Sequence, residues 1–336
     1  MSETSEWRDV NTLPPKIGHE WSIFKSGRQV NATRDEVTSE VSKWLPANPL
    51  LVGEPESSKF LPPILVPQFE DLVLRTIRNN FRNLAVAFAA CAIAFLGVSL
   101  LRPSSKALPF GLIMTMLTTT LVVDYLFALR HRAGVAERAL FFYWLKASSR
   151  ARRGIRLWAL ISLAVGLLQW GLQSSLGGID PVFREYGVMY SAVENGEYWR
   201  LLAGPYLHYS LVHYFNNVAL LLFAGSLTYA LFGGSTLAVF ALGNTVSALA
   251  QMALGGRVFD NYAGVSGGVY TLLGVFIAAG LVNRRLLPKG FWWLSVNLTL
   301  LGVLSSEILS PNAATVSHLC GLLLGCLAGI YYGNRS

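Results

Sequence analysis

The stretch AGVSGGVYTLLG, Ala263 to Gly274, sets one serine, Ser266, between small residues at the start of a long apolar run. A lone Gly-x-Ser-Gly says little. It gains meaning from two other pieces of the chain: HYSLVHYFNN at 208–217 and SHLCGLLLG at 317–325. Both are apolar stretches that carry histidine, and between them they hold three of the five histidines of the chain.

Working outward, the chain has 336 residues, of which 53% are hydrophobic and only 14% charged. Soluble domains carry about 25% charged residues. The charges here leave long stretches empty, which is the pattern of a chain that crosses a membrane. The net charge of +8 comes from basic residues beside apolar segments, so it reports topology rather than a nucleic-acid-binding face. Cys91, Cys320 and Cys326 all fall in apolar runs without a C-x-x-C pair, which reads as small buried residues and no disulfide framework.

Residues 1–80 read as a polar cytoplasmic region, either irregular or a very small domain, and hold eight of the 14 prolines. The segment 69–77 suggests a short amphipathic helix or an ordinary connector before the membrane. Eight apolar segments follow, at about 84–101, 108–129, 157–176, 209–232, 235–254, 263–282, 291–309 and 315–332. Each is close to the ~20 residues that let a helix cross the hydrocarbon layer. Lipid offers the backbone no hydrogen bonds, so the segments are expected to be helices. The fold class is therefore an all-α polytopic membrane protein.

Arg75, Arg78 and Arg82 precede the first segment. Residues 130–156, read as a basic cytoplasmic linker, set eight basic residues against Glu137, and Arg284, Arg285 and Lys289 follow the sixth segment. If all eight segments span, these clusters share one side, and the positive-inside rule makes it cytoplasmic. Both termini are then cytoplasmic. Arg102 and Lys106 oppose this weakly.

On that topology Ser266, His318, His213 and Asn217 all come to a similar depth near the outer face. His213 and Asn217 are i and i+4, hence on one helix face, as are Ser266 and Tyr270. Gly321, Gly325 and Gly329 form a stripe that lets helix backbones come close. A serine and a histidine so placed can carry out acyl transfer to water, His318 taking the Ser266 proton. Asn217, His213 and the Ser266 N–H are candidate donors to the oxyanion. No nearby acid completes a triad, although Glu307 lies near the outer end of the seventh segment. A dyad is expected, with Tyr270 packed on the His318 imidazole.

Other readings of the same residues stand beside this one. Ser266 among glycines suits helix packing, and intramembrane histidine or asparagine can pair helices. His208, at the start of the fourth segment, reads as structural. Asp124 is an acid within the second apolar segment, without an evident partner. Asn244, Thr245 and Gln251 suggest bonds between helices. Eight helices with polar groups would also suit a small-solute transporter, but no convincing internal repeat is visible. The histidine spacings suit no metal site.

GEYWR (196–200), HYSLVHYFNN (208–217), GVSGGVY (264–270) and SHLCGLLLG (317–325) together resemble the rhomboid family of intramembrane serine proteases. The resemblance covers about 157–332 and implies a six-helix core, preceded here by two extra transmembrane helices at 84–129. It implies Ser266 as nucleophile, His318 as base, and His213 and Asn217 at the oxyanion hole. It implies supporting roles for His208, Trp199 and Arg200, and the motif glycines Gly264, Gly267, Gly321 and Gly325 belong to the same pattern. Ser317 stands where alanine is common. The resemblance implies no cofactor and, as partners, transmembrane protein substrates within membrane lipid. The compact loops and the lack of a presequence favour a bacterial inner membrane. A silent relative that binds membrane-protein clients is the alternative.

Overall fold

The computed structural model describes residues 7–48, 50–103, 107–255, 260–309 and 314–335. These form two compact units, one of residues 1–146 and 287–309, the other of 147–286 and 310–336.

The first unit opens with a folded domain. Strands β1 (Ser22–Lys25) and β2 (Arg28–Asn31) form a hairpin. The turn between them is Ser26-Gly27, with φ of 55° and 80°, the left-handed pair that a two-residue hairpin requires. Helix α1 (Arg34–Val41) starts at a capping box, Thr33 and Glu36 bonding each other's backbone. Strand β3 (Leu51–Gly53) completes an antiparallel sheet of order β2-β1-β3. Val37, Val41, Trp44, Leu50 and Val52 are buried together with Val73, Leu74 and Ile77 of the next helix. The region thus carries regular strands and a helix, which share their core with Ala128, Val135 and Ala139 of the following helices.

That next helix, α2 (Glu70–Leu101), is 32 residues long and absorbs both the expected amphipathic piece and the first apolar segment. It packs on α3 (Ala107–Arg130), where Gly111 admits the Leu96 side chain. Thr115, Thr118, Thr119 and Thr120 of α3 return their hydroxyl protons to carbonyls four residues back, so they ask nothing of the lipid. Most of the expected linker is helical: α4 spans Arg132–Ala147. Asp124 does find a partner, since Arg138 of α4 donates to it at 2.9 Å in a buried ion pair. The same guanidinium lies 4.2 Å above the Phe127 ring. Cys91, expected to be buried, faces outward from α2.

The second unit begins with α5 (Ser149–Leu176), capped by the Ser148 hydroxyl and ended by Gly177 in the left-handed region. The connection that follows folds into α6 (Ile179–Tyr186), β4 (Val188–Met189), α7 (Tyr190–Glu194) and α8 (Arg200–Ala203). Then come α9 (Leu211–Phe232), α10 (Ser235–Leu254), β5 (Asn261–Tyr262) and α11 (Ser266–Val282). Helix α12 (Phe291–Leu309) packs beside α3 in the first unit, and α13 (Thr315–Arg335) returns to the second.

All eight expected apolar segments are helices. Among the described residues six of them (α2, α3, α5, α9, α10 and α13) are long and apolar enough to cross a membrane, while α11 is an apolar helix of 17 residues. The chain is a polytopic α-helical integral membrane protein.

Candidate active site

Ser266 is the first residue of α11, where helix N–H groups have no intrahelical partner. His318 lies in the first turn of α13. The two helix starts meet: Ser266 Oγ and His318 Nε2 are 2.9 Å apart, and the residues are only 7% and 6% exposed. The Tyr270 ring stacks on the imidazole, with centroids 4.4 Å apart and planes at 29°.

The close approach depends on glycine. A methyl group at Gly321 would land on the Gly267 carbonyl, one at Gly325 on the Thr271 carbonyl, and one at Gly329 on the Val275 carbonyl. Helix α13 thus lies backbone to backbone against α11 along the expected stripe. Every residue of α11 from Ser266 to Gly280 is buried.

Gly264 has φ of 103°, a conformation open to glycine. A Cβ there would come within 2.6 Å of the His213 ring and 3.5 Å of Asn217 Nδ2. Both side chains of α9 therefore face the loop that leads into Ser266. Asn217 is buried and donates to the His213 carbonyl at 3.1 Å.

His208 is buried behind His213, with ring centroids 5.2 Å apart in an edge-on arrangement. Its backbone is clamped from both sides by one side chain: its N–H donates to Gln169 Oε1 at 2.9 Å, and Gln169 Nε2 donates to its carbonyl at 2.6 Å. Burial holds the His208 imidazole well below its ordinary range, at about 3, with His213 adding to the shift. It is therefore neutral near neutral pH, as suits a packing role. A lone glutamine on an apolar helix carried no signal that would have singled out Gln169 from sequence.

Arg200 pins the connection between α5 and α9. It is buried and bonds Glu197 at 2.8 Å and the carbonyls of Arg184 and Gly187 at 3.0 Å each. Trp199 is 44% exposed, with the Arg200 guanidinium 4.9 Å from its ring. The expected polar bonds of α10 are present at two of three positions. Asn244 accepts from the Gly268 N–H at 2.7 Å and Gln251 from the Ser317 N–H at 3.1 Å, whereas Thr245 bonds back to its own helix. The Glu307 side chain lies outside the described residues.

Residues 195–335 match the family model described as Rhomboid domain. That stretch is therefore similar to a rhomboid domain. Among curated proteins it is similar to the rhomboid protease GlpG of Yersinia pestis (strain Pestoides F), with 29% identity over 151 residues. That alignment covers 44% of this chain and 52% of the relative, so the chain spans about half the length of the curated relatives it first matches. It is also similar to YdcA of Bacillus subtilis (strain 168), with 28% identity over 177 residues, covering 52% of this chain and 88% of the relative. The matched stretch takes in α8 to α13, and hence all of the residues just described from Trp199 onward.

Proposed function

We propose that this chain is an intramembrane serine endopeptidase that hydrolyses peptide bonds in or near the transmembrane segments of other membrane proteins. The observation that carries the reading is the buried 2.9 Å contact between Ser266 Oγ and His318 Nε2. His318 takes the hydroxyl proton as Ser266 attacks the carbonyl carbon. The resulting oxyanion is met by the Ser266 N–H and by the side chains of His213 and Asn217. The tetrahedral adduct collapses to an ester on Ser266, and His318 returns its proton to the departing amine. Water, deprotonated by the same imidazole, then releases the new carboxylate.

Tyr270, Gly264, Gly267, Gly321 and Gly325 hold this geometry, and His208, Trp199 and Arg200 support the segments around it. In this reading both termini are cytoplasmic and the dyad lies toward the outer face of a bacterial inner membrane, an orientation that the basic clusters support through the positive-inside rule. The scissile segment must unwind, because a helical peptide group is hydrogen-bonded and shielded.

The test is cleavage of a single-spanning reporter in liposomes by wild type, Ser266→Ala and His318→Ala. Cleavage by wild type alone, with all three folded, is the expected result. Equal behaviour of the three would overturn the reading in favour of a silent client-binding protein or a transporter.

A further inference from the structure

The dyad contact joins residues 52 positions apart on two helices, and one hydrogen bond does not set the rotation of either helix. A second polar link lies beside it. Ser317, the neighbour of His318, is fully buried, and its Oγ is 2.8 Å from the hydroxyl of Tyr262, itself 2% exposed. Tyr262 in turn donates to the Gly264 carbonyl at 3.1 Å.

The direction of the chain follows from counting protons. A phenol has one, and the Gly264 carbonyl can only accept. Tyr262 therefore gives its proton to Gly264 and receives one from Ser317. The order is Ser317 Oγ–H to Tyr262 Oη–H to Gly264 O. It starts one residue before the base and ends two residues before the nucleophile. It also ends on the glycine that holds φ of 103° and makes room for the His213 ring.

Each end is fixed independently. The Ser317 N–H is held by Gln251 of α10. Tyr262 sits in β5, paired with Val188 of β4. A methyl on Gly267 would come within 3.3 Å of Ser317 Oγ, so this hydroxyl also lies against the residue that follows the nucleophile. An alanine at 317 would give the same backbone packing but could not supply the proton.

We propose that Ser317 and Tyr262 are positioning residues: their hydroxyl relay sets the base-bearing helix against the glycine loop that presents Ser266. The inference rests on the protease reading, and its loss would appear in the turnover step rather than in substrate binding.

The experiment uses the full chain in liposomes and a fluorophosphonate probe, which forms a covalent bond to an activated serine. It compares wild type, Ser266→Ala, Tyr262→Phe, Ser317→Ala and the double variant, each rate normalised to folded protein. The two single variants are expected to react about fivefold more slowly at saturating probe, the size of one lost hydrogen bond. The double variant should react no more slowly than the slower single, because both remove the same relay. With a cleavable reporter, kcat should fall and KM stay unchanged. Singles that react at the wild-type rate would overturn the proposal while leaving the protease reading intact, as would slowing that multiplies in the double variant. A wild type that labels no better than Ser266→Ala would instead sink the protease reading and the inference with it.

Discussion

Each unit holds a packing surface of a different kind. The core of the first is made of large side chains, with Trp7, Trp44, Phe60 and Phe141 each no more than 1% exposed. The second unit buries large side chains too, Trp158 and Phe276 among them, but its seam of α11 and α13 is made of missing side chains, with Gly321, Gly325 and Gly329 letting one backbone lie on another. Burying apolar surface is a driving force only where the alternative is water. The sheet domain of the first unit has that alternative. Between helices in lipid the gain comes instead from close contact and hydrogen bonds. A core of one kind fails when it is emptied, and a core of the other kind fails when it is filled.

The sharpest way to break that contrast is a reciprocal pair of changes. Gly325→Leu should be the most damaging, costing more than about 3 kcal/mol because the clash is with backbone that has no rotamer to change. Leu74→Ala, in the first core, should cost about 3 kcal/mol by leaving a cavity. Thermal unfolding in detergent and the yield of folded protein check both. Comparable tolerance of Gly325→Leu and of a surface change would refute the close-packing account.

Next in size is the ion pair of the first unit. Asp124→Asn leaves the buried Arg138 without its counter-charge and should cost about 3 kcal/mol. Replacing both partners by apolar residues should cost much less, because the uncompensated charge goes too. If the single and double variants unfold alike, the pair is not what holds α3 to α4.

Gln169→Leu tests the neutral equivalent in the second unit. It orphans the N–H and carbonyl of His208, and should cost about 2 kcal/mol. Gln169→Glu can keep both bonds only while its carboxyl is protonated, so its cost should grow as pH rises and the buried group ionises. Melting temperatures of the three proteins order them.

The smallest effect belongs to the exposed cap of α1. Bonds from Thr33 lower the Glu36 carboxyl below its ordinary 4.5. A depressed carboxylate stabilises the fold above its unfolded pKa, and that contribution is lost as pH falls from about 4.5 through the folded value. Corrected for the intrinsic exchange rate, protection of the amides at the start of α1 should fall over that range, and Glu36→Gln should remove this pH dependence. An unchanged profile in the variant would show that the cap carries no proton-linked stability.

What the sequence reveals of this molecule divides along the same line. Apolar runs locate the membrane helices because lipid leaves the backbone no other choice. The i, i+4 spacings of His213 with Asn217 and of Ser266 with Tyr270 are legible for the same reason, since a helix fixes which residues share a face. The sheet domain is hidden because its strands are three or four residues long among prolines, and its core forms only in three dimensions. Helix α4 is hidden because its arginines argue for topology more loudly than for a helix. The targets of Asn244 and Gln251 lie 24 and 66 residues away, and nothing local announces them. Tyr262 and Ser317 are likewise ordinary residues until the fold joins them across 55 positions.

Helix α2 carries one more consequence. At about 1.5 Å per residue its 32 residues run roughly 48 Å, well beyond a hydrocarbon layer of about 30 Å. One end holds Val73, Leu74 and Ile77 in the core of the sheet domain, and the other holds buried Ala85 and Ala92 farther along. With no break between them, the helix acts as a drive shaft: the two ends share one angular phase. A single residue inserted between Asn80 and Leu84 would turn one end by about 100° relative to the other. Length changes that the loops absorb would here become a twist.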